Sequence, residues 1–105
     1  MRSSPRRDHG IIKTDGSPHG KLRSVDLRSV RWKRGFWGDC FRQCREVTLP
    51  RLWELLSDPE QGHALTNLRI AAGLEQGEFA GTHWQDEWVY KWIEAAASIY
   101  AATAD

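Results

Sequence analysis

The C-terminal segment "DEWVYKWIEAAASIYAATA", which starts at Asp86, carries the strongest helical pattern in the sequence and constrains the fold most. Asp86 and Glu87 suit the positive N-terminal end of a helix, and the alanines have high helix propensity. Apolar residues three or four apart predict one packed face, made of Val89, Trp92, Ile93, Ala96, Ile99 and Tyr100. Because small alanines let helices approach closely, the segment predicts a mainly α protein.

A second helical stripe begins near Asp39, which we predict to be an N-cap. Its members recur three or four residues apart: Cys40, Phe41, Cys44, Val47, Leu52, Trp53 and Leu56. Pro50 has no backbone N–H, which predicts either a kink or two short helices with Pro50 in the first turn of the second. Pro59 should push residue 58 out of the helical region and end the stripe.

The remaining segments carry weaker patterns. Residues 29–38, "SVRWKRGFWG", alternate as far as Gly35, which predicts one brief strand or an extended arm. Residues 63–72 are a weaker helical candidate, and "GLEQGEFAGTHW", with three glycines and no period, predicts a surface loop.

Charge divides the chain unevenly. Residues 1–34 contain ten Lys or Arg against three Asp, whereas residues 35–105 contain five against eleven Asp or Glu. The basic segment has too little apolar surface to offset the entropy of ordering, so we predict a disordered tail over residues 1–28 and a folded region over residues 29–105. Nucleic-acid binding is not expected, because no aromatic residue precedes Trp32 and no helical period arranges the charges.

The sequence shows no address for a membrane or for export. No apolar run approaches the roughly 20 residues of a membrane span. Arg6 and Arg7 are not followed by the apolar stretch that a secretion signal requires. We therefore predict a cytoplasmic location without a membrane partner.

Cys40 and Cys44 lie four apart on a predicted helix, where side chains project in parallel and a disulfide is awkward. We predict free, packed thiols. A structural zinc ion needs four ligands, and His63, the nearest histidine, lies beyond the helix, so no metal site is predicted in this chain.

Four motifs occur together in a recognisable order: "GFWGD", "REVTLP", "NLRIAAGLEQGEFAG" and "DEWVYKWIEAAA". In order and spacing they resemble the N-terminus of glycoside hydrolase family 127, typified by β-L-arabinofuranosidases, over roughly residues 30–105. The resemblance implies the N-terminal fragment of an (α/α)6 barrel, in which twelve helices form an inner and an outer ring. Independently of the resemblance, the last helix reaches Asp105 without a glycine C-cap, and the two preceding helices offer little to cover its apolar face, so we expect a truncated chain.

The resemblance also implies a place for the last motif. In the family this motif reads approximately Phe-x-Asp-Ser-Asp-Val-Tyr-Lys-Trp-Leu-Glu-Ala, and Trp88 stands here where the family has its second aspartate. A helix of such a barrel presents its first turn at one rim, where aromatic faces stack on sugars and polar groups bond to hydroxyls. We predict a substrate-binding role for Asp86, Trp88, Tyr90 and Lys91. The competing interpretation of Lys91 is a surface ion pair with Glu87 or Glu94.

No catalytic residue is predicted in this chain. Glycosidic hydrolysis needs two groups facing each other across the sugar, and the carboxylates Asp86, Glu87 and Glu94 share one helix. The resemblance implies a cysteine nucleophile, an acid/base glutamate and a zinc ion held by cysteines and a glutamate, all downstream of this segment in the full-length enzyme.

Two functions remain open at this point. The first is the N-terminal part of a glycoside hydrolase that acts on terminal arabinofuranosyl or related sugars, inactive alone. The second is a non-catalytic interaction module whose basic arm binds an acidic partner. For the fragment we also predict exposed apolar helix faces, near Trp88 and Trp92, that drive self-association.

Overall fold

The computed structural model describes residues 12–13 and 16–105, and helices dominate this part of the chain. An extended arm contains a short 3-10 turn, Leu27–Ser29. It leads into α1 (Gly35–Gln43), a π-helical segment (Cys44–Thr48), α2 (Leu49–Ser57), α3 (Ala64–Ala71) and α4 (Gln85–Thr103). The prediction of a mainly α fold is confirmed. Of the 28 residues of the predicted disordered tail, 13 (residues 1–11 and 14–15) lie outside the described residues.

The arm before α1 is extended, but no residue of the described ranges belongs to a β-strand. Of the two alternatives, the extended arm is correct for residues 30–34, whereas residues 35–38 already belong to α1. The Asp26 carboxylate accepts a hydrogen bond from the Arg28 main-chain N–H at 2.9 Å and so caps the 3-10 turn. Arg28 Nε then donates to the carbonyl oxygen of Ala101 at 3.0 Å, near the end of α4 where helix carbonyls lack partners.

The predicted N-cap at Asp39 is wrong, because α1 starts four residues earlier, at Gly35. Gly35 has a φ of 80°, a conformation that glycine adopts without the cost other residues carry, and this lets the extended arm turn into the helix there. Asp39 lies one turn inside α1, where its Oδ1 pairs with Arg42 Nη2 at 2.7 Å on the surface.

Pro50 lies in the first turn of α2, as predicted for the second of two short helices. The π-helical segment directly precedes it, and the Leu49 N–H bonds to the carbonyl oxygen of Cys44, five residues back. In an uninterrupted α-helix the proline ring would clash with the carbonyl four residues before it. In the π-helical segment the hydrogen bond instead reaches the carbonyl five residues back, which makes the turn wider and relieves this clash. α1, the π-helical segment and α2 therefore follow one another without a break.

The sharp turn after α2 follows the proline prediction. Asp58, which precedes Pro59, is extended with φ −73° and ψ 118°. Its Oδ1 accepts hydrogen bonds from the main-chain N–H groups of Glu60 and Gln61 at 2.8 and 3.2 Å. Gly62 then packs directly on the backbone of α2, so α3 starts close to the end of α2.

The core lies where α2, α3 and α4 meet. Leu56 from α2, Ala64 from α3 and Val89 from α4 are buried together, and Leu65, Leu68 and Trp92 pack around them. Ile99 is buried further along α4, which also packs against the 3-10 turn. Only these four apolar side chains of the described residues are buried, and many large apolar side chains stay exposed.

The face of α4 differs from the prediction at two positions. Val89 and Ile99 are buried and Trp92 and Ala96 are half-buried, as expected. Ile93 and Tyr100, however, are 53% and 60% exposed. The helix is turned so that buried Gln85 continues the packed line instead, and no described element covers the side that carries Ile93 and Tyr100.

Candidate functional site

The loop of residues 72–84 reaches the N-terminal end of α4 and is fastened to α3 by one side chain. Asn67 Nδ2 donates to the carbonyl oxygen of Ala80 at 2.8 Å, and the Ala80 N–H donates back to Asn67 Oδ1 at 3.1 Å. A side chain that satisfies both main-chain groups of one residue fixes that residue as a strand neighbour would. The middle of the loop is therefore held in place although it has no regular structure.

A second fastening joins the loop to α4. Gln85, the first residue of α4, is only 7% exposed, and its side-chain amide packs against Gly81. Gly81 has a φ of 86°, and a Cβ there would collide with that amide, so the position needs glycine on two counts. Gln85 Oε1 has no hydrogen-bond partner among the described residues.

On either side of the fastened residues Ala80 and Gly81 the loop presents aromatic rings to solvent. Phe79 and His83 have ring centroids 6.3 Å apart, with their planes 11° from parallel. Phe79 is 58% exposed, and Trp84, which follows His83 in the chain, is 56% exposed. His83 is exposed and stacked on Phe79.

An apolar groove runs between α2 and α4, and we call it the α2–α4 groove. It encloses about 420 Å³ and is lined by Leu49, Leu52, Leu55, Leu56, Trp88, Lys91, Trp92 and Ala95. Trp92, one of the lining residues, is held in place: its ring centroid lies 4.6 Å from that of Trp53, and Nε1 donates to the carbonyl oxygen of Leu49 at 2.9 Å. One aromatic wall of the groove is thus fixed.

The structure divides the four predicted site residues into two pairs. Trp88 and Lys91, three apart on α4, both line the α2–α4 groove. Asp86 and Tyr90, four apart, are exposed on a different side of the helix and take no part in lining it. A substrate-binding role for all four stays a prediction, and a single small ligand in the groove would meet only the first pair.

Lys91 forms an ion pair, as one of its two interpretations predicted. Its Nζ pairs with Glu87 Oε1, one turn earlier on α4, and both side chains are at least half exposed. The lysine stem meanwhile borders the groove, so the charge lies at the rim beside water while the methylenes cover apolar surface. The pair is a surface ion pair, as the competing interpretation of Lys91 predicted, and Lys91 also lines the groove.

The cysteines and acidic residues were the candidates for metal ligands. Cys40 and Cys44 are free, the first exposed and the second half-buried. Within the described residues, no three His, Cys, Asp or Glu side chains come together in a way that could hold a metal ion. A zinc ion of the kind that the family resemblance implies therefore does not fit the described residues of this chain. None of the described helices is both long and apolar enough to cross a membrane.

Sequence reasoning missed three residues that organise this region. Asn67 and Gln85 were not singled out, because their partners lie in an irregular loop with no period to follow. Phe79 lies inside the quoted motif "NLRIAAGLEQGEFAG", where a lone aromatic residue among glycines and acids was the available signal. Its pairing with His83, four residues on, is a property of the folded loop.

Comparison with known proteins identifies the family. The sequence matches the GH127 catalytic domain of β-L-arabinofuranosidases over residues 29–105. It is 33% identical over 98 residues to the non-reducing end β-L-arabinofuranosidase of Bifidobacterium longum subsp. longum, an alignment that covers 78% of this chain. No solved structure gave a significant match.

This chain belongs to glycoside hydrolase family 127 and corresponds to an N-terminal segment of its catalytic domain. The family predicted from the four motifs is confirmed, and the helical architecture agrees with part of an (α/α)6 barrel. The chain spans 14% of the length of the curated relative.

Proposed function

We propose that residues 29–105 serve as the opening helices of a glycosidase that releases terminal arabinofuranosyl or related sugars. Family membership carries this proposal: the match extends from the arm through the end of α4. In this role the segment provides packing surface and part of the rim that meets the carbohydrate. The groups that break the glycosidic bond belong to other parts of the complete enzyme.

The arrangement of acids supports a non-catalytic role for this segment. Asp86, Glu87 and Glu94 all project from α4, and Glu87 is engaged by Lys91. Two carboxyl groups that act on one glycosidic bond must approach the sugar from opposite sides, roughly 5 to 10 Å apart. Neighbours on one helix do not satisfy this condition, so the isolated chain should not hydrolyse glycosides.

A chimera tests the proposal. Residues 29–105 would replace the homologous segment of the Bifidobacterium longum relative, and hydrolysis of an aryl β-L-arabinofuranoside would be measured. We expect the chimera to retain activity, whereas the relative without this segment and the isolated chain should show none. A folded, monodisperse chimera without activity would contradict the proposal, and so would turnover by the isolated chain that survives repurification.

The same chimera separates the two pairs of predicted site residues. Trp88→Ala and Lys91→Met alter the groove, whereas Asp86→Asn and Tyr90→Phe alter the opposite side of α4. If the groove side faces the sugar, only the first two substitutions should raise KM. Higher KM for all four variants would support the substrate-binding assignment as a whole, whereas an unchanged KM in all four would remove it.

The alternative function, a basic arm that binds an acidic partner, stays a prediction. The part of the arm that the structure describes packs Arg28 onto α4, and Trp32 lies 5.6 Å from Phe41 of α1 between ring centroids. Both contacts join the arm to the helices α4 and α1. No described contact favours the second function over the first.

A further inference from the structure

We propose that Phe79 and His83 form a platform on which one sugar ring stacks. The inference rests on the proposed function and names a binding element for it outside the α2–α4 groove. At a centroid separation of 6.3 Å, two nearly parallel rings in contact are displaced sideways, so each leaves part of its face uncovered. The pair therefore offers two parallel aromatic faces, offset from each other and each partly uncovered.

The platform is held in position before any ligand arrives. Ala80, next to Phe79, is fastened to α3 through both of its main-chain groups by Asn67. Gly81 packs against the buried amide of Gln85 at the start of α4. Because the loop is fastened between the two rings and again at Gln85, the entropy that binding must offset to arrange the rings is reduced.

The surroundings of the rings favour a sugar over an apolar protein surface. A sugar has one face of C–H groups that suits an aromatic plane and a perimeter of hydroxyls that needs polar partners. Exposed Glu78 and Thr82 flank the two rings in the chain, and exposed Asp86 follows on the first turn of α4. A docking site for an apolar helix would instead need a continuous aliphatic surface, as in the α2–α4 groove.

The test is a titration of the full chain, labelled with ¹⁵N, with methyl β-L-arabinofuranoside, followed by amide shifts. In the wild type the shifts should concentrate on residues 78–86. Phe79→Ala should weaken the affinity about 3- to 10-fold, the range that corresponds to loss of one aromatic contact. His83→Ala should act in the same direction, and His83→Phe, which keeps a flat ring, should restore binding.

A matched control comes from α1. Phe36 is 71% exposed and also has an aromatic partner, Trp37, with ring centroids 5.0 Å apart. Phe36→Ala should leave the affinity unchanged. If Phe79→Ala disturbs folding, as judged by amide dispersion, the comparison of His83→Ala with His83→Phe decides the question alone.

Several results would overturn the platform. These are no shifts at residues 78–86 in the wild type, equal affinity in the wild type and Phe79→Ala, or a response to His83→Ala that His83→Phe does not reverse. Shifts confined to Trp88 and the groove would also overturn it. None of these results bears on hydrolysis by the chimera, so the proposed function stands or falls separately.

Discussion

The indole Nε1 of Trp92 donates a hydrogen bond to the carbonyl oxygen of Leu49 at 2.9 Å, at the junction between the π-helical segment and α2. Leu49 immediately precedes Pro50, so the chain geometry is already altered at this point. This bond connects α4 to the point where the π-helical segment gives way to α2. The contact connects residues 43 positions apart in the sequence.

Trp92→Phe removes the hydrogen bond to Leu49 and keeps an aromatic ring for Trp53. The free energy of unfolding should fall by about 1–2 kcal/mol, because the part-buried hydrogen bond between α4 and the Leu49 carbonyl is lost. Urea unfolding followed by circular dichroism measures the change. Trp88→Phe, on the same helix and 45% exposed, is the control and should cost less than about 0.5 kcal/mol. Equal losses would show that ring size, and not the hydrogen bond, matters at position 92.

Gly62→Ala should destabilise the turn between α2 and α3. A Cβ at this position would lie 2.9 Å from the Cα of Leu56 and still closer to the carbonyl oxygen of Leu55, and backbone atoms cannot move aside cheaply. We expect a loss of about 2 kcal/mol or more, seen as a lower midpoint in thermal unfolding. Gly16→Ala, with no atom within 4 Å, should leave the midpoint unchanged. A midpoint unaffected by Gly62→Ala would mean that α2 and α3 do not approach this closely.

The α2–α4 groove should make the free chain bind hydrophobic dyes and self-associate. Leu52 and Leu55 are 42% and 44% exposed at its edge, and exposed apolar patches of this kind favour association. Leu52→Asp should reduce both dye fluorescence and the sedimentation-derived mass. Leu74→Asp, in the loop and 75% exposed, introduces the same charge away from the groove and should change neither. A chain that is monomeric at high concentration without dye binding would contradict the prediction.

Lys91→Met should change the free energy of unfolding by less than about 0.5 kcal/mol. Its ion pair with Glu87 is solvent-exposed, and such pairs contribute little because water and salt screen them. Chemical unfolding at low and high salt measures the effect, with Glu94→Gln on the same helix as the control. Because methionine keeps an apolar chain of similar length, a loss above about 1 kcal/mol would show that the ion pair itself contributes more than its exposure indicates.

The helices were predictable where local chemistry alone decides. The start of α4 follows from Asp86 and Glu87, and the course of α2 follows from Pro50 in its first turn and Pro59 after its end. The N-cap of α1 was misplaced by five residues, at Asp39 instead of Arg34, because Asp39 suits an N-cap while the positive φ of Gly35 lets the chain turn into the helix earlier. Two local signals competed there, and the sequence did not rank them.

The sequence by itself determined the helical class, the interruption at Pro50 and the family, because periodicity, proline geometry and ordered motifs are properties of neighbouring residues. Tertiary structure alone decided which side of α4 is packed, and it left Ile93 and Tyr100 exposed. It also separated Asp86 and Tyr90 from the groove that Trp88 and Lys91 line. The physical reason is that the rotation of a helix about its axis is set by the surfaces that cover it, and those surfaces come from residues far away in the chain.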